Sequence, residues 1–133
     1  MPGFEHVNYN DLVGLEKAIS DPNTAAFMIE PIQGEAGVVV PDKGYLSGVR
    51  RLCDKYNVLM IADEVQTGLC RTGKLLCVNH ENVKPDIVCL GKVNNLSFLE
   101  TIVIHAVLDA KPLALNTKGI IRWYDAYFCC AGK

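Results

Sequence analysis

Short apolar runs separated by longer polar stretches set the plan of the first two-thirds of the chain. Residues 25–30, 58–62 and 86–90 are apolar nearly throughout, the last of them carrying Ile87, Val88, Cys89 and Leu90. Runs of this length, bounded by polar or glycine-rich segments, read as strands buried on both faces of a parallel sheet. Residues 10–20 follow a helical period instead. Leu12, Leu15 and Ile19 form one stripe, Asn10 is the expected N-cap, Asp11 suits the positive helix end, and Asp21-Pro22-Asn23 stops the run. A second helix is expected over 44–56, with Leu46, Val49, Leu52 and Cys53 inward and Arg50, Arg51 and Lys55 outward.

Between the first strand and this helix lie a glycine-rich loop, residues 33–37, and the triplet Val38, Val39 and Val40. A glycine-punctuated stretch over 64–74 and a short apolar piece at 75–78 lead to the third strand. The order strand, helix, strand, looped crossover, strand predicts an α/β fold, part of a three-layer parallel sheet with covering helices. From Val93 onward the texture changes. Residues 97–108 are apolar and β-branched and 119–130 aromatic and apolar, without covering helices, so 93–133 is expected to be an irregular tail, separate from the unit formed by 3–92.

Composition narrows the function classes. The chain has 133 residues, half of them hydrophobic, and a net charge of −2. That is one domain at most, with neither the basic surface of a nucleic-acid groove nor an acidic tail. Six cysteines show no CxxC pair and no zinc spacing, which favours a reducing compartment over a disulfide framework and implies no metal site. No apolar stretch nears the roughly 18 residues of a membrane span. The amino terminus lacks the apolar core or arginines of a targeting segment, which leaves a cytoplasmic location as one expectation.

Two charged residues carry the chemistry. Asp63 follows the second apolar run and Lys92 the third, 29 positions apart. Charged groups at the carboxyl ends of parallel strands stand where open α/β folds bind ligands. Alone, Asp63 is a helix cap and Lys92 a surface lysine. Together, an acid and an amine on one rim suit a cofactor with a basic ring nitrogen and an aldehyde: Asp63 would keep the nitrogen of pyridoxal 5'-phosphate protonated, and Lys92 would form an imine and carry a proton. Gln66 is placed to donate to a phenolic oxygen, and Glu35 to gate a pocket from its loop. A competing pattern, Gly68 to Gly73-Lys74, has P-loop spacing, but Leu75 stands where a magnesium-binding hydroxyl belongs. His6, His80 and His105 share no ligand spacing, and Trp123, Tyr124 and Tyr127 read as packing residues.

Longer blocks then point to a family. Tyr9-Asn10-Asp11-Leu12, the run from Glu30 to Pro41, Asp63-Glu64-Val65-Gln66-Thr67-Gly68, Arg71-Thr72-Gly73, and Pro85-Asp86-Ile87 through Gly91-Lys92 resemble the class-III aminotransferases, pyridoxal-phosphate enzymes of fold type I. The Glu30–Pro41 block resembles the ornithine branch. The likeness covers residues 3–92. It implies that Asp63 pairs with the pyridine nitrogen, Gln66 with the phenolic oxygen, Lys92 with the aldehyde, and that Glu35 gates the site by pairing with an arginine. It further implies transfer of the δ-amino group of ornithine to 2-oxoglutarate, a homo-oligomer, and the mitochondrial matrix.

Beyond Lys92 the family's glycine-rich run is replaced by Val93-Asn94-Asn95-Leu96-Ser97-Phe98. The family's phosphate loop, ring-stacking aromatic and gating arginine have no counterpart here. The expectation is a truncated aminotransferase, inactive alone; the alternatives are a non-catalytic fragment that joins full-length subunits or is degraded, and a P-loop-like nucleotide-binding protein. A valine codon opens with the two bases of a splice donor, so a tail read from unspliced sequence accounts for the break after Lys92.

Overall fold

The apolar runs become the centre of one sheet because both of their faces are removed from water. In the computed structural model, which describes residues 3–91 and the strand residues 106–107 and 127–131, they are β2 (Thr24–Ile29), β3 (Leu59–Asp63) and β4 (Ile87–Cys89). β1 (Phe4–Val7) precedes them, and β5 (Ala106–Val107) and β6 (Tyr127–Ala131) come after. The order across the six-stranded sheet is β1-β6-β2-β3-β4-β5. β2, β3 and β4 pair in parallel, with Ile29 opposite Ala62 and Asp63 opposite Cys89; β5 is antiparallel to β4.

Alternation along these strands splits the core. Phe27, Ile29, Met60 and Ala62 face one way, into the main cluster with Leu15 and Ile19 of α1 (Leu12–Ile19) and Leu46, Val49 and Cys53 of α2 (Tyr45–Tyr56). Ala26, Ile61 and Cys89 face the other way and pack with the partly buried Met28, Leu59, Val65 and Ile87. Among the described residues, both α-helices therefore lie on one side of the sheet.

The helix ends are settled by polar contacts. Asp11, not Asn10, caps α1: its carboxylate accepts from the Gly14 N–H at 2.8 Å. Asn10 takes a left-handed φ of 66° and its side-chain oxygen accepts from the Asp42 N–H at 3.0 Å, so it ties two loops together. α2 has Gly44 at its N-cap, with no side chain to offer. Glu81, in the 3-10 helix Cys77–Glu81, fills that role, accepting from Gly44 N–H and Ser47 N–H at 2.9 Å each and from Ser47 Oγ at 3.0 Å. Arg50 on α2 donates to Asp86 at 2.7 Å, and the same carboxylate oxygen accepts from the Met60 N–H at 2.8 Å. Burial works against the Arg50 charge, but Asp86 and then Asp54 outweigh it and raise its pKa.

Two segments of the tail expected to be irregular are strands of this same sheet. β6 lies parallel between β1 and β2, pairing Phe4 with Phe128 and Phe27 with Cys129. An aromatic, cysteine-rich segment has high strand propensity, and the facing edges of β1 and β2 would otherwise carry unpaired backbone groups. That long-range pairing leaves no local mark in the sequence. The rest of 92–133 lies outside the described residues.

Candidate functional site

The site rim is built from the segments that leave the carboxyl ends of β2 and β3. β2 runs into Glu30-Pro31, whose two carbonyls both accept from the Tyr9 hydroxyl at 3.0 Å. Burial, followed by neighbouring Tyr45, holds the Tyr9 hydroxyl's pKa far above its usual value, so it remains a donor. The ring packs edge-on against Tyr45 with centroids 5.3 Å apart. Past this anchor the chain closes a small loop. Gln33 and Val39 exchange backbone hydrogen bonds of 3.0 and 2.9 Å, and Gly37 and Val38 N–H groups both reach the Gly34 carbonyl. Val38 holds a left-handed φ of 61°, strained for a β-branched side chain. Glu35 sits on this loop, exposed.

β3 ends on Asp63, half-buried at the sheet's carboxyl edge. Its Oδ1 accepts from the Val65 N–H at 3.0 Å, and among the described residues the carboxylate takes no other hydrogen bond. The turn then folds back, Gly68 N–H donating to the Glu64 carbonyl at 2.8 Å. A Cβ on Gly68 would stand 2.8 Å from Leu90 Cδ2 and 2.9 Å from the Glu64 carbonyl oxygen, so this glycine lets the turn lie against the end of the neighbouring strand. Gln66 projects from the turn and its Nε2 donates to Glu35 Oε1 at 3.0 Å.

Three of the four site residues expected from sequence, Asp63, Gln66 and Glu35, thus lie on two loops that meet at one rim. Lys92 lies outside the described residues; buried Gly91, one position earlier, is the last described residue on that stretch. Cys89, opposite Asp63 across the β3–β4 pair, has its thiol pKa raised by burial and then by the Asp63 carboxylate.

The hydrophobic pattern does not single out Glu64, the residue directly after Asp63. The structure separates them. Glu64 is fully buried, accepting from the Thr67 hydroxyl and from the Val78 N–H at 2.9 Å. Burial and then this carboxylate raise the pKa of the neighbouring Cys77 thiol, with Thr72 partly opposing. The run with P-loop spacing folds onto itself: Arg71 donates to the Gly68 carbonyl at 3.1 Å, Lys74 to the Asn79 carbonyl at 2.9 Å, and only a five-residue 3-10 helix comes next. His6 is exposed, and His80 packs Nε2 on the Thr72 carbonyl at 2.8 Å. His105, Trp123 and Tyr124 lie outside the described residues, and of Tyr127 only the strand position is described.

The donor set fits the ring expected from sequence. A half-buried carboxylate with unused acceptor capacity suits a pyridine nitrogen that must stay protonated, and a neutral amide beside it suits a ring oxygen.

Comparison with known proteins gives the same direction. The profile of class-III aminotransferases matches residues 5–108, sixteen positions past Lys92. The chain is 71% identical over 92 residues to the mitochondrial ornithine aminotransferase of Rattus norvegicus, covering 69% of this chain and 21% of that protein. A match to the mitochondrial ornithine aminotransferase of Drosophila ananassae runs over 118 residues at 67% identity, 89% of this chain and 27% of that one. The solved structure of Plasmodium falciparum ornithine delta-aminotransferase superposes with a TM-score of 0.68 at 62% identity, over 68% of this chain and 24% of that one. The chain spans about a fifth to a quarter of the length of these relatives. A family profile matched over most of the sequence, on a parallel sheet whose rim carries the acid and the amide, places this chain in the class-III aminotransferases, pyridoxal-phosphate-dependent enzymes of fold type I.

Proposed function

We propose that residues 3–92 form the ring-facing wall of an aminotransferase that moves the δ-amino group of ornithine to 2-oxoglutarate, yielding glutamate semialdehyde and glutamate. The observation that carries this reading is Asp63 at the end of β3, with spare acceptor capacity, on the same rim as Gln66 and Glu35. High identity to proteins named ornithine aminotransferase supports the substrate choice, and their mitochondrial names support the matrix as the compartment. Homo-oligomeric assembly belongs to the same family reading.

Pyridoxal phosphate, when bound, supplies a ring that accepts electrons as the amine-bearing carbon loses its proton. Asp63 holds the proton on the ring nitrogen. The Gln66 amide donates to the ring oxygen and orients it. Lys92 would hold the aldehyde through its primary amine and would carry the substrate proton. Glu35 guards the entrance through its carboxylate.

Asp63, Gln66, Lys92 and Glu35 leave the phosphate and the substrate carboxylates without an assigned anchor, and loss of one preorganised polar group lowers rates by about 100–1,000-fold, so this set of residues is expected to be silent by itself. Association with full-length subunits is the second reading, favoured by the half-covered apolar sheet face of Met28, Leu59 and Ile87. Borohydride reduction of the chain with pyridoxal phosphate is expected to fix the cofactor on the peptide holding Lys92, read by mass. Label elsewhere, or none, overturns the assignment. With ornithine and 2-oxoglutarate added, turnover is expected to equal that of Lys92→Ala; a faster rate would show that the chain suffices alone.

A further inference from the structure

Resting on that reading of the rim, we propose that Glu35 is a positioning residue for Gln66, so that the loop after β2 and the turn after β3 hold the cofactor ring as one coupled unit. A primary amide presents either its oxygen or its NH2 group, and nothing intrinsic to glutamine decides which. Glu35 decides it here. Its carboxylate only accepts, and it stands 3.0 Å from Gln66 Nε2, so the reversed amide would set two acceptor oxygens against each other. The other end of the amide lies in the space that the missing side chain of Gly34 leaves open. A Cβ at position 34 would lie 2.8 Å from Gln66 Oε1 and 3.1 Å from Cδ, which means that the backbone of Gly34 is the surface on which the amide rests.

The loop that presents Glu35 is itself held on both sides. Gln33 and Val39 close it, the Glu30 carboxylate accepts from the Gly34 N–H at 3.3 Å, and Tyr9 clamps the two carbonyls at its entry. With one N–H of Gln66 given to Glu35, the second remains available for a ligand oxygen. Removing Glu35 frees the glutamine to rotate and to offer the wrong end, and ordering a long side chain on binding opposes affinity.

Equilibrium dialysis of pyridoxal phosphate against the full chain tests this. Glu35→Ala is expected to weaken binding by about three- to tenfold, the range of one ordinary hydrogen bond at an exposed position. Glu35→Gln, which can meet the Gln66 amide with either its oxygen or its NH2 group and so no longer fixes the orientation, is expected to fall between the parent chain and Glu35→Ala. In a Gln66→Ala background, Glu35→Ala is expected to change nothing further. An unchanged affinity in Glu35→Ala, or an equal loss with and without Gln66, overturns the coupling. Asp63→Ala separates the two levels. If it weakens binding while Glu35→Ala does not, the site reading stands and the coupling fails. If the parent chain does not bind saturably, or Asp63→Ala has no effect, the reading itself falls and the coupling with it.

Discussion

Asp63 and Glu64 are neighbours in sequence at the end of one strand, yet they occupy opposite environments. Successive side chains of extended backbone point to opposite faces, so one acid reaches the rim and the other turns into the protein. Among the described residues Asp63 accepts one backbone N–H and keeps unused acceptor capacity, whereas Glu64, fully buried, is engaged by Thr67 and Val78. What sets the two acids apart is therefore how completely their oxygens are used. The largest expected effect tests that difference. Glu64→Ala strips two buried donors of their acceptor and leaves a void, which costs about 2–4 kcal/mol. Asp63→Asn is expected to change stability by no more than about 0.5 kcal/mol while weakening pyridoxal phosphate binding. Urea denaturation of both variants beside the parent chain reads the contrast, and equal destabilisation would erase it.

The same logic applies at a lower magnitude to Glu81. The α2 helix starts on a glycine, so its first N–H groups depend on a carboxylate that is 37 positions away. Glu81→Ala is expected to cost about 1–2 kcal/mol, the scale of a lost N-cap. Glu81→Gln should recover part of it, because an amide oxygen still accepts but without the charge that favours a helix N-terminus. If both variants matched the parent chain in urea, water would be serving the α2 terminus as well as Glu81 does.

Contacts of this kind explain which parts of the molecule are legible in the sequence. The three central strands are, each within a residue or so, because burial on both faces forces continuous apolar runs. Asp63 is legible for the same reason, being the first charge after such a run. The loop bearing Glu35 and the turn bearing Gln66 are recognisable as motifs, but their meeting depends on the sheet register that brings β2 beside β3. The α1 cap falls to Asp11 because Asn10 is recruited by Asp42, a contact that no local rule anticipates. β6 between β1 and β2 is the extreme case: a pairing across most of the chain, specified by two open edges rather than by any motif.

The smallest expected effect bears on the rim itself, which is held less firmly than the buried struts. Val38 is 69% exposed and keeps a left-handed backbone that a β-branched side chain disfavours, so its side chain contributes strain with little burial in return. Glycine at that position removes the strain but gives the unfolded chain more freedom, and the two effects oppose each other at similar size. Val38→Gly is expected to raise stability by no more than about 1 kcal/mol. The informative measurement is the pairing of that stability with cofactor affinity. If the loop serves only to hold Glu35 against Gln66, relief of strain should leave pyridoxal phosphate binding unchanged, because the Gln33–Val39 hydrogen bonds that close the loop are made by backbone alone. A gain in stability accompanied by weaker binding would mean that the strain at Val38 helps set the position of Glu35, and that the rim, unlike the buried acids, trades stability for geometry.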